Sequence, residues 1–227
     1  MYTYVKRVAD AVAAAIVLVL LIIPGVIIAL IIKLDSKGPV LFKTKRVGRN
    51  KEIFEIYKFR SMVTDAPILP PGKFASAEDY ITRSGNILRK TSLDELPQLI
   101  NVIKGDMSIV GPRPGAAKNE DELIVERDKY DVFSVRPGIG GWAQANGRDE
   151  LALDVAQKAK VDGEYVEKFG LLMDIKCLYL TFATVITNKG YQEGGSPVSA
   201  NGYTLTSDTA PQSNVATSSY ASASTLQ

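Results

Sequence analysis

The chain of 227 residues contains no histidine and a single cysteine, Cys177. The first absence excludes Ser-His-Asp and Cys-His nucleophilic catalysis and every histidine-ligated metal site. The second excludes an intrachain disulfide and is compatible with a reducing compartment. An excess of one charge is also lacking. The 27 basic and 25 acidic residues leave a net charge of +2, so no global field points to nucleic acid as a partner. An acid, base or nucleophile must come mainly from Asp, Glu, Lys, Tyr or the lone thiol. A hard cation such as Mg²⁺ is unaffected, because it prefers oxygen ligands.

Set against these absences is one long uncharged run, Ala11 to Ile32 (AVAAAIVLVLLIIPGVIIALII). About 20 apolar residues suffice to cross a bilayer. A cleaved signal peptide fits poorly, since the run is too long and no small-residue cleavage site follows it. Two readings remain open from the residues alone: a spanning helix, and a re-entrant helix that enters and leaves by one face. Pro24-Gly25 interrupts the middle, where proline removes a helix hydrogen bond and forces a kink. Lys6 and Arg7 precede the run, and Lys33, Lys37, Lys43, Lys45 and Arg46 follow it. Positive flanks stay cytoplasmic, and here both flanks are positive.

Next, alternation predicts strands over Val40–Lys45 and Ile53–Phe59, joined by a hairpin turn at Gly48–Lys51. Lys43, Lys45, Arg46 and Arg49 suit either anionic headgroups or an ordinary solvated face. Asp65–Tyr80 is rich in proline and small residues and reads as a mobile loop. The densest chemistry lies in Arg89–Pro114, RKTSLDELPQLINVIKGDMSIVGPRP. Adjacent carboxylates, Asp94 and Glu95, stand at a helix start. Asp94 as N-cap puts Pro97 in the first turn, with Leu96, Leu99, Ile100 and Ile103 buried and Gly105 ending the helix. Arg89 and Lys90 precede the pair. Arg113 follows it, stiffened between Pro112 and Pro114, which suits bidentate grip on phosphate. A capped surface helix with solvated charges explains the same spacing.

Asn119–Asp131 predicts a charged helix packing through Leu123, Ile124 and the stem of Arg127. In Arg136–Arg148, Pro137, Gly138, Gly140 and Gly141 permit close backbone approach to a ligand, and Trp142 offers a stacking face. A tight structural turn is the simpler use of such glycines. From Val161 to Asn188 apolar residues recur at helical spacing (Leu171, Leu172, Ile175, Leu178, Tyr179, Phe182, Ile186), a stripe for the core or for a membrane interface. Cys177 beside it reads as inert packing. Gly194–Gln227 carries hardly any large apolar residues and reads as a disordered tail. Strands early and helices elsewhere predict an α+β, mainly helical fold.

The run TSLDELPQLINVIKGDMSIVGPRP, together with KFRSM (Lys58–Met62), ITRSGNILRKTS (Ile81–Ser92) and RPGIGGWAQANGR (Arg136–Arg148), resembles the signature of bacterial sugar transferases, the monotopic phosphoglycosyl transferases. With the apolar segment, the resemblance covers nearly everything from Lys6 to about Tyr191. It implies a proline-kinked re-entrant membrane helix (1–35, kinked at Pro24), a cytoplasmic catalytic domain (36–193) and a tail (194–227). It also implies residence at the bacterial cytoplasmic membrane. The implied reaction moves a sugar 1-phosphate from a UDP-sugar to undecaprenyl phosphate and releases UMP, as the first membrane step of glycoconjugate synthesis. The resemblance assigns Asp94 as nucleophile and Mg²⁺ ligand and Glu95 as its assistant. It puts Lys58, Arg60, Arg89, Arg113, Arg136, Gly138 and Arg148 on the substrates. Membrane lipids and other glycan-assembly enzymes are the further partners it implies. The chain departs from the family pattern at Ile23, Tyr80 and Gly140, where serine, a basic residue and threonine are common. Two other readings stay open beside covalent transfer: direct attack by the lipid phosphate, and a membrane-anchored nucleotide-sugar-binding or scaffold protein without turnover.

Overall fold

The computed structural model describes residues 1–66, 77–117, 121–145 and 154–187. The expectations for most of the 65–80 loop, for Arg148 and for the tail from 194 lie outside the described residues.

Over the apolar run the chain forms two helices, α1 (Tyr2–Leu20) and α2 (Ile22–Asp35), bent by 63° at a break on Leu21. Pro24 falls in the first turn of α2, a position whose N–H would have no intrahelical acceptor. Among the described residues no single helix is long and apolar enough to cross a membrane, while the bent pair together meets that length and composition. Asp10 and Ala14 of α1 and Ile28 and Ile32 of α2 are buried, and Leu18 and Leu21 pack partly buried against the core. Ile16, Val19, Leu20, Ile22, Ile23, Val26, Ile27 and Leu30 are exposed.

Both ends of the pair are fastened to the rest of the chain. Near the start, the Tyr2 hydroxyl donates to Asp174, and Arg7 donates to the carbonyls of Val102 and Ile103 at 2.7 and 2.8 Å. At the end, Arg60 donates to the carbonyls of Ile32, Ser36 and Lys37 and to the Ser36 hydroxyl, at 2.8 to 3.2 Å. Asp35 accepts from the Ser84 amide and hydroxyl at 2.9 and 2.7 Å.

The expected hairpin is present as β1 (Leu41–Val47) and β2 (Ile53–Phe59), antiparallel, with Leu41 opposite Phe59 and Val47 opposite Ile53. Asn50 and Lys51 turn the chain in the left-handed region, at φ 53° and 63°. Next come α3 (Arg83–Lys90), capped by the Thr82 hydroxyl, and α4 (Gln98–Lys104). The α4 start differs from the sequence expectation. Asp94 does not cap it; Leu93–Glu95 is a separate 3-10 turn, and Pro97 occupies the N-cap position. Gly105 ends α4 at φ 97°, as expected. The buried face is also shifted, to Gln98, Leu99, Asn101 and Val102, and Ile103 is exposed. The cause is that α4 lies between α1 and β2. Asn101 accepts from the Tyr57 amide at 3.1 Å and donates to the Glu55 carbonyl at 2.7 Å, so it satisfies the free edge of β2.

A second, parallel pair joins β3 (Ser108–Val110) to β4 (Gly138–Gly140). The remaining helices are α5 (Asp121–Asp128), α6 (Trp142–Ala145), α7 (Val155–Glu167) and α8 (Leu171–Thr187). Among the described residues the fold is therefore mainly helical with two small sheets, an α+β arrangement. Arg127 does more than pack its stem: its guanidinium is buried and donates twice to Asp162 of α7. The helical stripe expected from Val161 onward is split by a break at Lys168–Gly170. Leu171, Leu172, Ile175, Leu178 and Tyr179 are exposed, and α8 faces the core through Met173, Asp174 and Cys177. Those five stripe residues do not serve the core.

Candidate active site

The two carboxylates are presented by the 3-10 turn, which begins at Ser92 in the left-handed conformation (φ 56°). For a residue with a Cβ this conformation costs about 1 kcal/mol, held here by the elements on either side. The turn sends both side chains to the same cation. Lys58, on β2, places Nζ 2.8 Å from Glu95 Oε1 and 3.8 Å from Asp94 Oδ2. Arg113, in the segment that leaves β3, donates from Nη1 to Glu95 Oε2 at 3.1 Å and from Nη2 to Oε1. Arg89, in the last turn of α3, is near enough to pull on the charge of Asp94.

The adjacent carboxylates thus have unlike surroundings. Glu95 is held from three donor atoms. Asp94 is buried and accepts no hydrogen bond among the described residues; its nearest partner is the Lys58 ammonium. Titration follows the same division. Burial pushes the Asp94 carboxyl above its usual range, with Lys58 pulling against that and the Glu95 charge adding to it. Burial would raise Glu95 as well, but Arg113 and Lys58 outweigh it and hold that carboxyl far below the usual range. The result is one carboxyl group locked in place by donors beside another that accepts no hydrogen bond among the described residues.

The donor set is compatible with Mg²⁺ shared with a substrate. Mg²⁺ takes one or two carboxylates plus phosphate oxygens and water. Asp94 offers oxygens that accept no hydrogen bond among the described residues, where no group of three or more metal-binding side chains occurs.

Other candidates from the sequence lie apart from this cluster. Arg60 is 4% exposed and its guanidinium is spent on the end of α2. The close approach allowed by Gly138 is to the chain itself: a Cβ there would lie 2.1 Å from the Gly111 amide nitrogen. A Cβ on Gly140 would lie 3.1 Å from the Thr181 methyl carbon. Arg136 donates to the Gly105 carbonyl at the far end of α4. The Trp142 ring already carries the Lys176 ammonium, 4.7 Å from its centroid, and its N–H donates to Glu164. Sequence reading missed a buried network in which Lys6 pairs with Asp174, Asp174 accepts from Tyr165, and Asp10 accepts from Ser108. The i,i+4 spacing of Lys6 and Asp10 was its one legible sign.

A family model described as bacterial sugar transferase matches residues 1–188. The chain belongs to the bacterial sugar transferase family. Among its relatives, the undecaprenyl-phosphate glucose phosphotransferase of Komagataeibacter xylinus is 42% identical over 192 residues, 81% of this chain and 36% of that protein. The UDP-glucose:undecaprenyl-phosphate glucose-1-phosphate transferase of Escherichia coli K12 is 38% identical over 188 residues, 81% of this chain and 40% of that protein. An exopolysaccharide production protein of Rhizobium leguminosarum is 39% identical over 175 residues, 72% of this chain and 86% of that protein. The chain thus spans about two fifths of the first two relatives and most of the third.

Proposed function

We propose that the chain transfers a sugar 1-phosphate from a UDP-sugar to undecaprenyl phosphate, releasing UMP, by way of a phosphosugar held on Asp94. The observation that carries this reading is the inequality of the two carboxylates, Glu95 engaged by Arg113 and Lys58 and Asp94 accepting no hydrogen bond among the described residues. An Asp94 oxygen attacks the β-phosphorus of the donor. The bond from that phosphorus to the bridging oxygen breaks, and UMP leaves with the electron pair. An oxygen of undecaprenyl phosphate then attacks the same phosphorus and displaces the carboxylate, giving undecaprenyl-diphospho-sugar. No proton need move in either displacement, so the lack of histidine is no obstacle.

Lys58 and Arg113 neutralise the charge of the transferred phosphate, and Glu95 keeps both cations aimed. Arg89 adds positive charge at the edge of the cluster. Mg²⁺ held by Asp94 and the donor phosphates would supply further charge neutralisation.

The acceptor is a lipid, and the fold is suited to a membrane surface. The exposed apolar side chains of α1 and α2 need a lipid environment. Both ends of the pair are fastened to the same unit, by Arg7 at the start and Arg60 at the end. A crossing would separate those ends by about 30 Å of hydrocarbon. This supports a re-entrant pair with both ends on the cytoplasmic face, the break eased by Pro24. The exposed stripe of α8 suits the interface beside it.

The test is UMP release in nanodiscs with Mg²⁺, undecaprenyl phosphate and a panel of UDP-sugars. Release of UMP with one sugar, and a covalent adduct lost in Asp94→Asn, is the expected result. Release of UDP, or an adduct that survives in Asp94→Asn, overturns it.

A further inference from the structure

The cations not used at the transfer site gather at the opposite end of α4. A cavity of about 140 Å³ opens there, lined by Lys6, Arg7, Asp10, Arg49, Ser108 and Arg136 among others. It shares no lining residue with Lys58, Asp94, Glu95 and Arg113. Asp94 and Glu95 precede the first turn of α4, whereas Arg7 and Arg136 donate to its last carbonyls, Val102, Ile103 and Gly105. At 1.5 Å per residue, the two groups are roughly 10 Å apart along the helix.

The positive charge in this cavity is not balanced from within. Asp10 accepts from Ser108 and pairs with Lys6 at 3.4 Å, and Lys6 lies 2.6 Å from Asp174. Lysine and acids therefore offset one another. Among the described residues no carboxylate pairs with Arg7, Arg49 or Arg136. The carbonyls at the end of α4 explain both terminal nitrogens of Arg7 and the Nε of Arg136. They do not explain the outer edge of Arg136 or the presence of Arg49. The Arg49 Nε is buried and has no hydrogen-bond partner. An unpaired guanidinium N–H buried beside two more guanidiniums is unfavourable unless an anion joins them. The crowding registers on Arg136, which burial first, and then the charges of Arg49 and Arg7, hold below its ordinary value.

We propose that this cavity binds a phosphate group between Arg49 and Arg136, with Arg7 behind them. Guanidinium forks match pairs of phosphate oxygens, and the volume admits a tetrahedral anion with a few waters. Asp10 is the last charged residue before the uncharged run, so the cavity stands where an anionic phospholipid headgroup would meet the chain. A soluble phosphate compound offers the same chemistry. The site does not depend on the transfer reaction, and its test reads no turnover.

The whole chain is placed in phosphatidylcholine nanodiscs with or without phosphatidylglycerol, and retained phosphatidylglycerol is counted by native mass spectrometry. In discs without phosphatidylglycerol, stabilisation against heat is titrated with inorganic phosphate. Arg49→Gln and Arg136→Gln are each expected to weaken one of these responses about tenfold, the loss of one charge-assisted contact, while Lys129→Gln, at an exposed lysine that lines neither site, keeps it. Loss in the lipid arm identifies a headgroup, and loss in the phosphate arm alone identifies a soluble phosphate. If Arg136→Gln fails to fold for want of the Gly105 bond, Arg49→Gln in the hairpin turn carries the test, with folding checked by circular dichroism. Equal responses in wild type and Arg49→Gln overturn the site, as does equal loss in Lys129→Gln.

Discussion

Arg113 donates from both terminal nitrogens to Glu95, one to each carboxylate oxygen, and so locks the residue next to Asp94. A bidentate pair of this kind fixes orientation as well as charge. The arginine that the sequence offers as a phosphate clamp is thus first a clamp on Glu95.

Glu95→Gln should separate positioning from nucleophilic attack. The amide leaves Arg113 and Lys58 without their counter-charge, and kcat for UMP release should fall about 10²-fold. The covalent adduct should still be trapped, since Asp94 is intact. Absence of the adduct in Glu95→Gln, with the fold preserved, would move the nucleophile to Glu95.

Arg60→Ala should act on stability. The side chain is buried and satisfies three carbonyls and a hydroxyl at the end of α2. Its removal is expected to cost about 3 kcal/mol, seen as a lower midpoint of thermal or denaturant unfolding. KM for the UDP-sugar should stay unchanged; a rise in KM at full stability would return Arg60 to the substrate site.

Gly138→Ala should break the parallel pair. A Cβ placed 2.1 Å from the Gly111 nitrogen meets backbone, which cannot rotate aside. The variant is expected to lose at least about 3 kcal/mol, or to fail to fold, measured by chemical denaturation. Native-like stability would show that β3 and β4 do not pair as described.

Cys177 should be silent to thiol reagents. Burial first, then the charge of Asp174, push its thiol up to about 11. A raised thiol pKa means less thiolate at any given pH, here less than about a thousandth at pH 7.5. Maleimide should label the wild-type chain only after unfolding. This silence permits a topology test on Tyr4→Cys and Lys37→Cys, both at exposed positions at opposite ends of the helix pair. In inside-out vesicles an impermeant maleimide should label both. Labelling of only one would mean a spanning segment.

What was legible in the sequence was local. The hairpin followed from alternation and a turn, and the helix ending at Gly105 followed from glycine's tolerance of positive φ. The start of α4 was misread, because Asp94 is a good cap by residue type while the burial of its carboxylate beside Lys58 depends on a strand more than thirty residues earlier. Residue type alone did not reveal that Arg60 donates to the end of α2 and Arg136 to the end of α4, because a guanidinium suits phosphate and helix-end carbonyls equally well. Only their neighbours distinguish the two uses. The stripe on α8 was visible as a stripe, but periodicity does not say whether such a face meets protein or not.

The sequence by itself determined the apolar run and its interruption, the adjacent carboxylates, the proline-flanked arginine and the chemistry closed off by the absence of histidine. These are properties of composition and short spacing. Only the tertiary structure decided which carboxylate is gripped and which is open, which arginines fasten the helix pair, and which gather around an empty volume at the far end of α4. The reason is physical: a charge acts through its surroundings, and those surroundings are built by segments distant in the chain and brought within a few ångströms by packing.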